Sequence, residues 1–386
     1  MMESIWIRNF GPLKDIKIDS IKPFTVFIGE SGSGKSTIMK VIALCRWLYK
    51  MHNIRSYLKH SEISKSPFRY RMDTYIRNCG FEKYIKTDTE IIYTAKSKSG
   101  QIYEIKLTKN KSSLNIKINS DVRAEDICFN KISFISETRN VIPLWADKGA
   151  SFTGGYLGYY FHEVFGDFDL ATEFIKDMDM SFLDVKFGVK KSGAQKKYSI
   201  SSKGKEVFEI DLKNSSSGTQ NSVPVLLIPK YFSKYFSFEE AFNRSVLSYL
   251  SNTDRLTAFK PIKNLGEINK KIFIHIEEPE LSLYPDAQCQ LISDLLSVCF
   301  VENKNKVELI LSTHSPYIIN YLNLLIKRSE KKANGKEVSI EFGNLAVYHV
   351  IDGGLEDLIV QNEKLVNTNL LSETINSIYD QYNAIE

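Results

Sequence analysis

Gly29-Glu30-Ser31-Gly32-Ser33-Gly34-Lys35-Ser36 satisfies the pattern G-x-x-x-x-G-K-[ST] at every fixed position. Glycines in such a loop let successive backbone N–H groups turn inward around phosphate oxygens, and the N-terminus of a following helix adds positive potential. On that chemistry Gly29, Ser31, Gly32, Ser33 and Gly34 form the cradle, Lys35 reaches the β- and γ-phosphates, the Ser36 hydroxyl ligates Mg2+, and Thr37 touches the α-phosphate. The flanks supply the required context. Pro23–Ile28 is a short apolar run with β-branched residues, the pattern of a buried parallel strand. From Ser36 onward, Ile38, Met39, Val41, Ile42, Leu44, Cys45 and Leu48 fall on one helical face. Strand, glycine loop and helix in that order predict an α/β fold.

Away from this unit, Ser4–Asn9 and Asp15–Ile18 read as strands around a Gly11-Pro12 turn. Lys50–Lys86 reads as polar helices and loop, and Glu90–Lys96, Gln101–Thr108 and Leu114–Asn119 alternate as an antiparallel meander. Ile132–Ile135 is a further short strand; residues 150–185 carry helical spacing, and 184–212 return to alternation. Val223 to about Leu265 reads as helices whose Tyr/Phe cluster at Tyr231–Phe238 is expected to pack in the core. Lys271–Ile276, Val307–Leu311 and Leu345–Val350 are strands with helices between them, and Leu370–Tyr382 is a closing amphipathic helix. Alternation of strand and helix at both ends of the chain predicts one α/β sheet.

With 386 residues, 43% hydrophobic and 25% charged, the chain has the balance of a globular protein rather than a disordered or collagenous one. No apolar run approaches the ~18 residues of a membrane span, and Glu3, Arg8 and Asn9 interrupt Met1–Gly11 too early for a secretory signal. The five cysteines are scattered without a CxxC pair, which predicts neither a disulfide framework nor a zinc site and suits a reducing, cytoplasmic setting. The net charge of +5 is uneven: between Lys40 and Lys86 stand eleven Lys/Arg against Glu62, Asp73 and Glu82, so the rest of the chain is slightly acidic. That stretch, with Tyr70 between Arg69 and Arg71, is the candidate nucleic-acid surface.

Two further strand ends carry chemistry. Ile272–Ile276 runs into Glu277-Glu278-Pro279-Glu280. A nucleotide-hydrolysing site needs one carboxylate at the metal and one at the attacking water; Glu277 suits the first role, Glu278 the second, and Glu280 suits support of the loop. Leu309–Leu311 runs into Ser312-Thr313-His314-Ser315-Pro316, where His314 is placed to hydrogen-bond a γ-phosphate. The Asn214–Gln220 loop offers Ser217 and Gly218 for a γ-phosphate brought by a second subunit.

In this order the motifs resemble those of ABC-type ATPases of the RecF/SMC/OLD class. Ile7–Pro12 resembles that class's first strand, Ser216–Gln220 its signature loop, Ile276–Leu281 with Leu283-Tyr284-Pro285 its Walker B and D-loop, and Ser312–Pro316 its H-loop. Ile132–Arg139 falls where the Q-loop or its Pro-x-x-Arg variant belongs, with Ser136 in place of the proline and no glutamine. Where Glu277 stands the family usually has aspartate, so its contact with Mg2+ is direct or through water. The resemblance implies an ABC-ATPase head with a mixed central sheet, an antiparallel β subdomain and a helical lid, as a single domain over residues 1–386. Its parts would be a Walker A lobe with the meander (1–140), a helical signature lobe with an insert at about Lys230–Leu265 (141–265), and the Walker B and H-loop part of the sheet (266–386). It further implies Mg-ATP held between two copies, Ser217 and Gly218 of one completing the site built on Lys35 of the other, with slow hydrolysis through Glu278 and His314.

Absence of a long coiled coil, and only 72 residues after His314, set the chain apart from chromosome-condensing and nuclease-fused members. It is most similar in motif style to stand-alone ATPases of antiphage systems such as Septu, PARIS or retron cassettes. That likeness implies an ATP-dependent sensor and scaffold for a separately encoded nuclease or toxin. A RecF-like DNA-binding repair ATPase is the alternative, and a purely structural ATP-clamped oligomer a third reading.

Overall fold

The computed structural model describes residues 2–61, 63, 70–111, 113–146, 158–192, 195–203, 208–251, 269–331 and 337–385. The first strand, β1 (Met2–Phe10), pairs antiparallel with β2 (Leu13–Ile18), and β3 (Phe24–Ile28), buried at every residue, leads into α1 (Lys35–His60). After α2 (Met72–Asn78) come β4 (Ile85–Lys96), β5 (Ile102–Asn110), β6 (Ser113–Ile118) and β7 (Cys128–Ile135). Helices α3 (Val141–Ala146) and α4 (Gly158–Phe174) precede β8 (Asp177–Met180), β9 (Val185–Ser192), β10 (Gln195–Ser202) and β11 (Glu209–Asp211). Two helices, α5 (Ser217–Lys234) and α6 (Phe238–Ser251), lead to β12 (Asn269–Glu277), α7 (Pro285–Leu296), β13 (Val307–Thr313) and α8 (Pro316–Glu330). The chain finishes with β14 (Leu345–Ile351), β15 (Gly354–Asp357), the short pair β16 (Ile359–Val360) and β17 (Leu365–Val366), and α9 (Asn369–Asn383).

Three larger sheets and the two-stranded β16–β17 sheet organise the described elements. The central one is mixed, ordered β15-β14-β3-β13-β12-β7, with β14, β3, β13, β12 and β7 parallel and β15 antiparallel at the edge. Its inner strands β3, β12 and β13 are buried on both faces, which is why they read as continuous apolar runs. An antiparallel sheet, β2-β1-β4-β5-β6, holds the meander together with the N-terminal hairpin, and a four-stranded antiparallel sheet, β11-β10-β9-β8, forms a further layer. The expected α/β class with a mixed sheet and an antiparallel subdomain is what the chain adopts.

The stretch expected to be polar helix after Lys50 differs in part. Helix α1 continues to His60 with Met51, Ile54, Tyr57 and Leu58 buried, so this end of the helix is core rather than surface. Residues 175–185, expected to be helical, include the strand β8, whose Met178 and Met180 point inward at period two. Of the Tyr/Phe cluster expected to pack in the core, Tyr231, Phe232 and Phe238 are buried and Phe236 partly so, whereas Tyr235 is exposed. The distal part of the expected insert, residues 252–265, lies outside the described residues.

The basic stretch does not form one exposed face. Arg46 is fully buried, paired with Glu3 at 2.8 Å and Glu308 at 3.3 Å, and its guanidinium lies 3.9 Å from the Phe273 ring centroid. Lys59 pairs with Asp121 and Arg77 with Glu82, while Lys65 and Arg69 lie outside the described residues.

Candidate functional site

Parallel register decides where the motifs meet. In the ladder Ile28 faces Thr313 across β3 and β13, and Glu277 faces Ser312 across β12 and β13. The carboxyl ends of three neighbouring strands therefore deliver the glycine loop, the acidic pair and the histidine to one edge of the sheet, the place where open α/β sheets bind ligands.

The loop is shaped for this edge. Gly34 caps α1 at φ +113, and a Cβ added there would lie 2.6 Å from Leu13 Cδ2. Only glycine combines that conformation with that space. Lys35 is buried and its ammonium donates to the carbonyls of Gly29 at 2.8 Å and Glu30 at 2.7 Å. Its pKa is lowered by desolvation, against the attraction of Glu278 and Glu280. Ser36 and Lys40 are one turn apart on α1 and both face Glu277, Lys40 at 3.7 Å.

Glu277, last residue of β12, is buried, and neither carboxylate oxygen has a hydrogen bond of normal geometry, although Ser36 and Glu137 face it. Burial, followed by the Glu137 carboxyl, pushes its pKa up to about 8, and Lys40 opposes the shift. Glu137, which faces Glu277, is held below its usual value. A buried carboxyl whose oxygens no hydrogen bond satisfies, beside a serine hydroxyl, fits a hard divalent cation. Ser33 Oγ, Ser312 Oγ and Glu280 Oε2 at the same edge are also buried without a hydrogen-bond partner.

Glu278 stands just outside the strand with φ +43, a conformation that strains a residue with a Cβ, and its N–H bonds to the Ser312 carbonyl at 2.9 Å. Its carboxylate lies 3.2 Å from His314 Nε2. Glu280 accepts from the Thr313 hydroxyl and from the His314 N–H, both at 2.7 Å, and so ties the acidic loop to the histidine loop. The structure thus brings Gly29–Thr37, Glu277, Glu278 and His314 to one edge.

Ser217 and Gly218 stand at the head of α5. Ser216 caps α5 by accepting from the Thr219 N–H, Ser217 is exposed, and no hydrogen bond joins Ser217 or Gly218 to Gly29–Thr37. Gly218 packs so closely on the loop after the acidic pair that a Cβ there would meet the Ser282 carbonyl at 2.7 Å.

One residue that motif reading left without a role links these pieces. Arg139, fully buried after β7, donates to the carbonyls of Glu277 and Glu278, both at 2.6 Å, and to those of Ser136 and Asn221, both at 3.1 Å. Desolvation lowers its pKa to about 10, opposed by Glu280, Glu277, Glu278 and Glu137. It joins the acidic pair, the edge-strand loop and helix α5 behind Ser217. Its position in the Q-loop-like stretch was the available signal. Lys40 and Glu137 also escape motif reading, because their roles arise from packing against Glu277.

The AAA ATPase domain model matches residues 1–149 and 48–319, together most of the chain. Comparison with curated protein sequences finds no match. Among solved structures, the chain is similar to the SMC head domain from Thermotoga maritima, at 12% identity and TM-score 0.40 over 93% of this chain and 99% of that one. It is also similar to an SMC head bound to the C-winged helix domain of ScpA, at 12% identity and TM-score 0.45 over 94% and 99%. A third is the recombination mediator RecF-ATPrS of the RecFOR pathway, at 10% identity and TM-score 0.39 over 93% and 98%. No described helix is long and apolar enough to cross a membrane. The chain belongs to the AAA ATPase domain family.

Proposed function

We propose that this chain is a slow ATPase in which ATP closes two copies on each other, and that the closed state controls a separately encoded nuclease or toxin in antiphage defence. The observation that carries the ATPase reading is the joint placement of Lys35, the buried Glu277 and the Glu278–His314 pair at one sheet edge. The proposed unit is a single domain over residues 1–386, with the lobes 1–140, 141–265 and 266–386 contributing the loop, the signature segment and the acidic pair.

In this mechanism the N–H groups of Gly29–Gly34 and the start of α1 bind the phosphates, with Thr37 at the α-phosphate, and Lys35 exchanges its carbonyl partners for phosphate oxygens. Ser36 and Glu277 would hold Mg2+, which supplies charge neutralisation on the phosphates. Glu278 accepts the proton of the attacking water, and His314, 3.2 Å away, orients that carboxylate and reports the γ-phosphate. Exposure of Ser217 at the head of α5 supports its use by a second copy, since it makes no bond within its own site. Dispersal of the basic stretch into core, ion pairs and surface favours the sensor and scaffold reading over a RecF-like DNA-binding role. The setting proposed is cytoplasmic.

The test is hydrolysis by the purified chain. Slow, Mg-dependent ATP turnover is expected, lost on Lys35→Ala and reduced ~10²-fold or more on Glu278→Gln, with no cleavage of DNA or RNA. Metal-dependent nuclease activity of the chain alone would overturn the scaffold role. Steeply salt-dependent duplex binding stimulated by ATP would replace it with the repair reading.

A further inference from the structure

A cavity of about 260 Å3 opens between the distal half of α1, β7, α4 and the turn from α5 to α6. Five phenylalanines wall it: Phe129 of β7, Phe232 of α5, Phe236 in the turn, and Phe238 and Phe242 of α6. Phe129 and Phe242 stack with ring centroids 3.9 Å apart, and Phe236 meets Phe232 and Phe238 edge-on at 5.2 and 5.1 Å. No residue of the lining belongs to Gly29–Thr37, Glu277, Glu278 or His314.

Three cations also line this space, and they are not equivalent. Lys131 is committed: its ammonium bonds to Asp167 at 2.6 Å and lies 5.1 Å from the Phe232 ring centroid. The other oxygen of Asp167 accepts from the Ser133 hydroxyl at 2.7 Å, so that carboxylate is engaged on both sides. Lys50 and Arg244 make no ion pair among the described residues, and Arg244 uses only its Nε, which donates to the Glu240 carbonyl at 3.4 Å. Arg244 is exposed and Lys50 half-buried. Burial, followed by the charge of Lys131, lowers the Lys50 pKa to about 8, against Glu163 and Asp167. A half-buried ammonium without a bonded counter-ion is destabilising, and an anion brought to it offsets that cost.

Aromatic walls and two cations without ion-pair partners select a guest with an apolar ring and an acid group, since binding sites combine an apolar lining with a few polar groups that fix orientation. Ring-on-ring contacts add to what burial alone contributes. At the packing density of protein interiors, ~0.75, the cavity holds about 190 Å3 of atoms, the size of one or two rings with a short acid group. We propose that this cavity is a binding site for a small aromatic carboxylate or phosphate, its ring packed among the five phenylalanines and its acid group held by Lys50 and Arg244. The site is separate from the nucleotide edge and stands whether or not the chain hydrolyses ATP. Its place suits a signal, because α1 begins at the phosphate loop and α5 begins at Ser217, and a guest touching Lys50 and Phe232 packs on both helices.

Calorimetric titration of the full chain at pH 7 with naphthoate and with naphthyl phosphate tests this, with naphthylmethanol and octanoate as comparisons. At least one aromatic acid is expected to bind one per chain with a Kd of about 100 µM or tighter, what roughly a dozen non-hydrogen atoms supply. The tighter of the two identifies the acid group. Naphthylmethanol and octanoate should bind ~10-fold or more weakly, and Lys50→Met and Arg244→Gln should each cost ~10-fold or more, the loss of one charge-assisted hydrogen bond. The urea midpoint of either variant should not fall, which separates lost binding from lost folding, and Lys35→Ala should bind the acids like the wild type. No binding of either acid at about 1 mM would overturn the proposal. So would equal binding of naphthylmethanol or octanoate, or an affinity unchanged in both Lys50→Met and Arg244→Gln. Loss of binding in Lys35→Ala would place the acids in the phosphate loop and overturn it too. None of these results bears on ATP hydrolysis, so the ATPase reading stands or falls separately.

Discussion

Replacing Arg139 by methionine keeps the unbranched stem of the side chain and removes every donor. Four carbonyl oxygens, of Ser136, Asn221, Glu277 and Glu278, then lose a charged donor, and among the backbone bonds of turns and loops only Ser136 keeps one from residue 139, at 3.3 Å. A hydrogen bond from a charged donor contributes about 1.5–3 kcal/mol, and a buried acceptor left unsatisfied costs about 1–3 kcal/mol. Against this stands the cost of burying the guanidinium, visible in its pKa of about 10. The expected net loss is about 3–5 kcal/mol, the range for breaking a buried charged cluster from one side. Urea unfolding at pH 7 measures it, with the midpoint and slope compared between variants. The functional effect should exceed what stability explains. Glu278 holds φ +43, a strain of about 1–3 kcal/mol for a residue with a Cβ, and the Arg139 bond to its carbonyl and the Ser312 bond to its N–H hold it there. ATP hydrolysis should therefore fall more than tenfold while ATP still binds, and Arg139→Lys should recover part of the stability, because an ammonium cannot span four acceptors as a planar fork does. A loss below about 1 kcal/mol with unimpaired hydrolysis would refute the assignment of Arg139 as the link between acidic pair and signature helix.

Two further outcomes follow from the same geometry. Gly34→Ala forces a Cβ toward Leu13 at φ +113; it should cost about 1–3 kcal/mol and abolish ATP binding, read by a fluorescent nucleotide. Lys50, half-buried, has its pKa lowered to about 8 by desolvation and by Lys131. Below pH 8 it is charged in both the folded and unfolded chain, so the folded state carries the full penalty of the buried charge, which fades as pH rises from 8 to 10.5. Lys50→Met should thus stabilise by about 1–2 kcal/mol at pH 7, after discounting for solvent screening, and the gain should vanish above pH 10.5. An equal gain at pH 7 and pH 11 in thermal melts would show that packing, not charge, is responsible.

The sheet edge was legible because each of its strands announces itself twice, by an apolar run and by the polar group at its end. Pro23–Ile28 before the glycines, Ile272–Ile276 before Glu277 and Leu309–Leu311 before His314 are all buried parallel strands, and parallel neighbours must deliver their carboxyl ends to one place. What escaped was whatever depends on packing between distant segments. Arg139 looks like an ordinary residue after a short strand, and its four acceptors come from three separate parts of the chain. Arg46 and Lys50 count as surface charge in the sequence, yet Arg46 is neutralised inside the core by Glu3 and Glu308, more than forty residues away at the nearest. The polar look of the second half of α1 hides a buried face, because His52, Asn53 and Ser56 find hydrogen bonds in the interior with Ser120, Tyr49 and Val122. Strand β8, only four residues long, carries too little alternation to separate it from the helix before it.

Nucleotide-driven pairing of two copies is the claim on which the account turns. The measurement is light scattering of Glu278→Gln protein with and without Mg-ATP. This variant is expected to bind ATP and to turn it over far more slowly than the wild type. A mass that doubles on Mg-ATP, and fails to do so when Ser217→Arg is added, is the predicted result. A monomer that binds ATP and stays a monomer would contradict it.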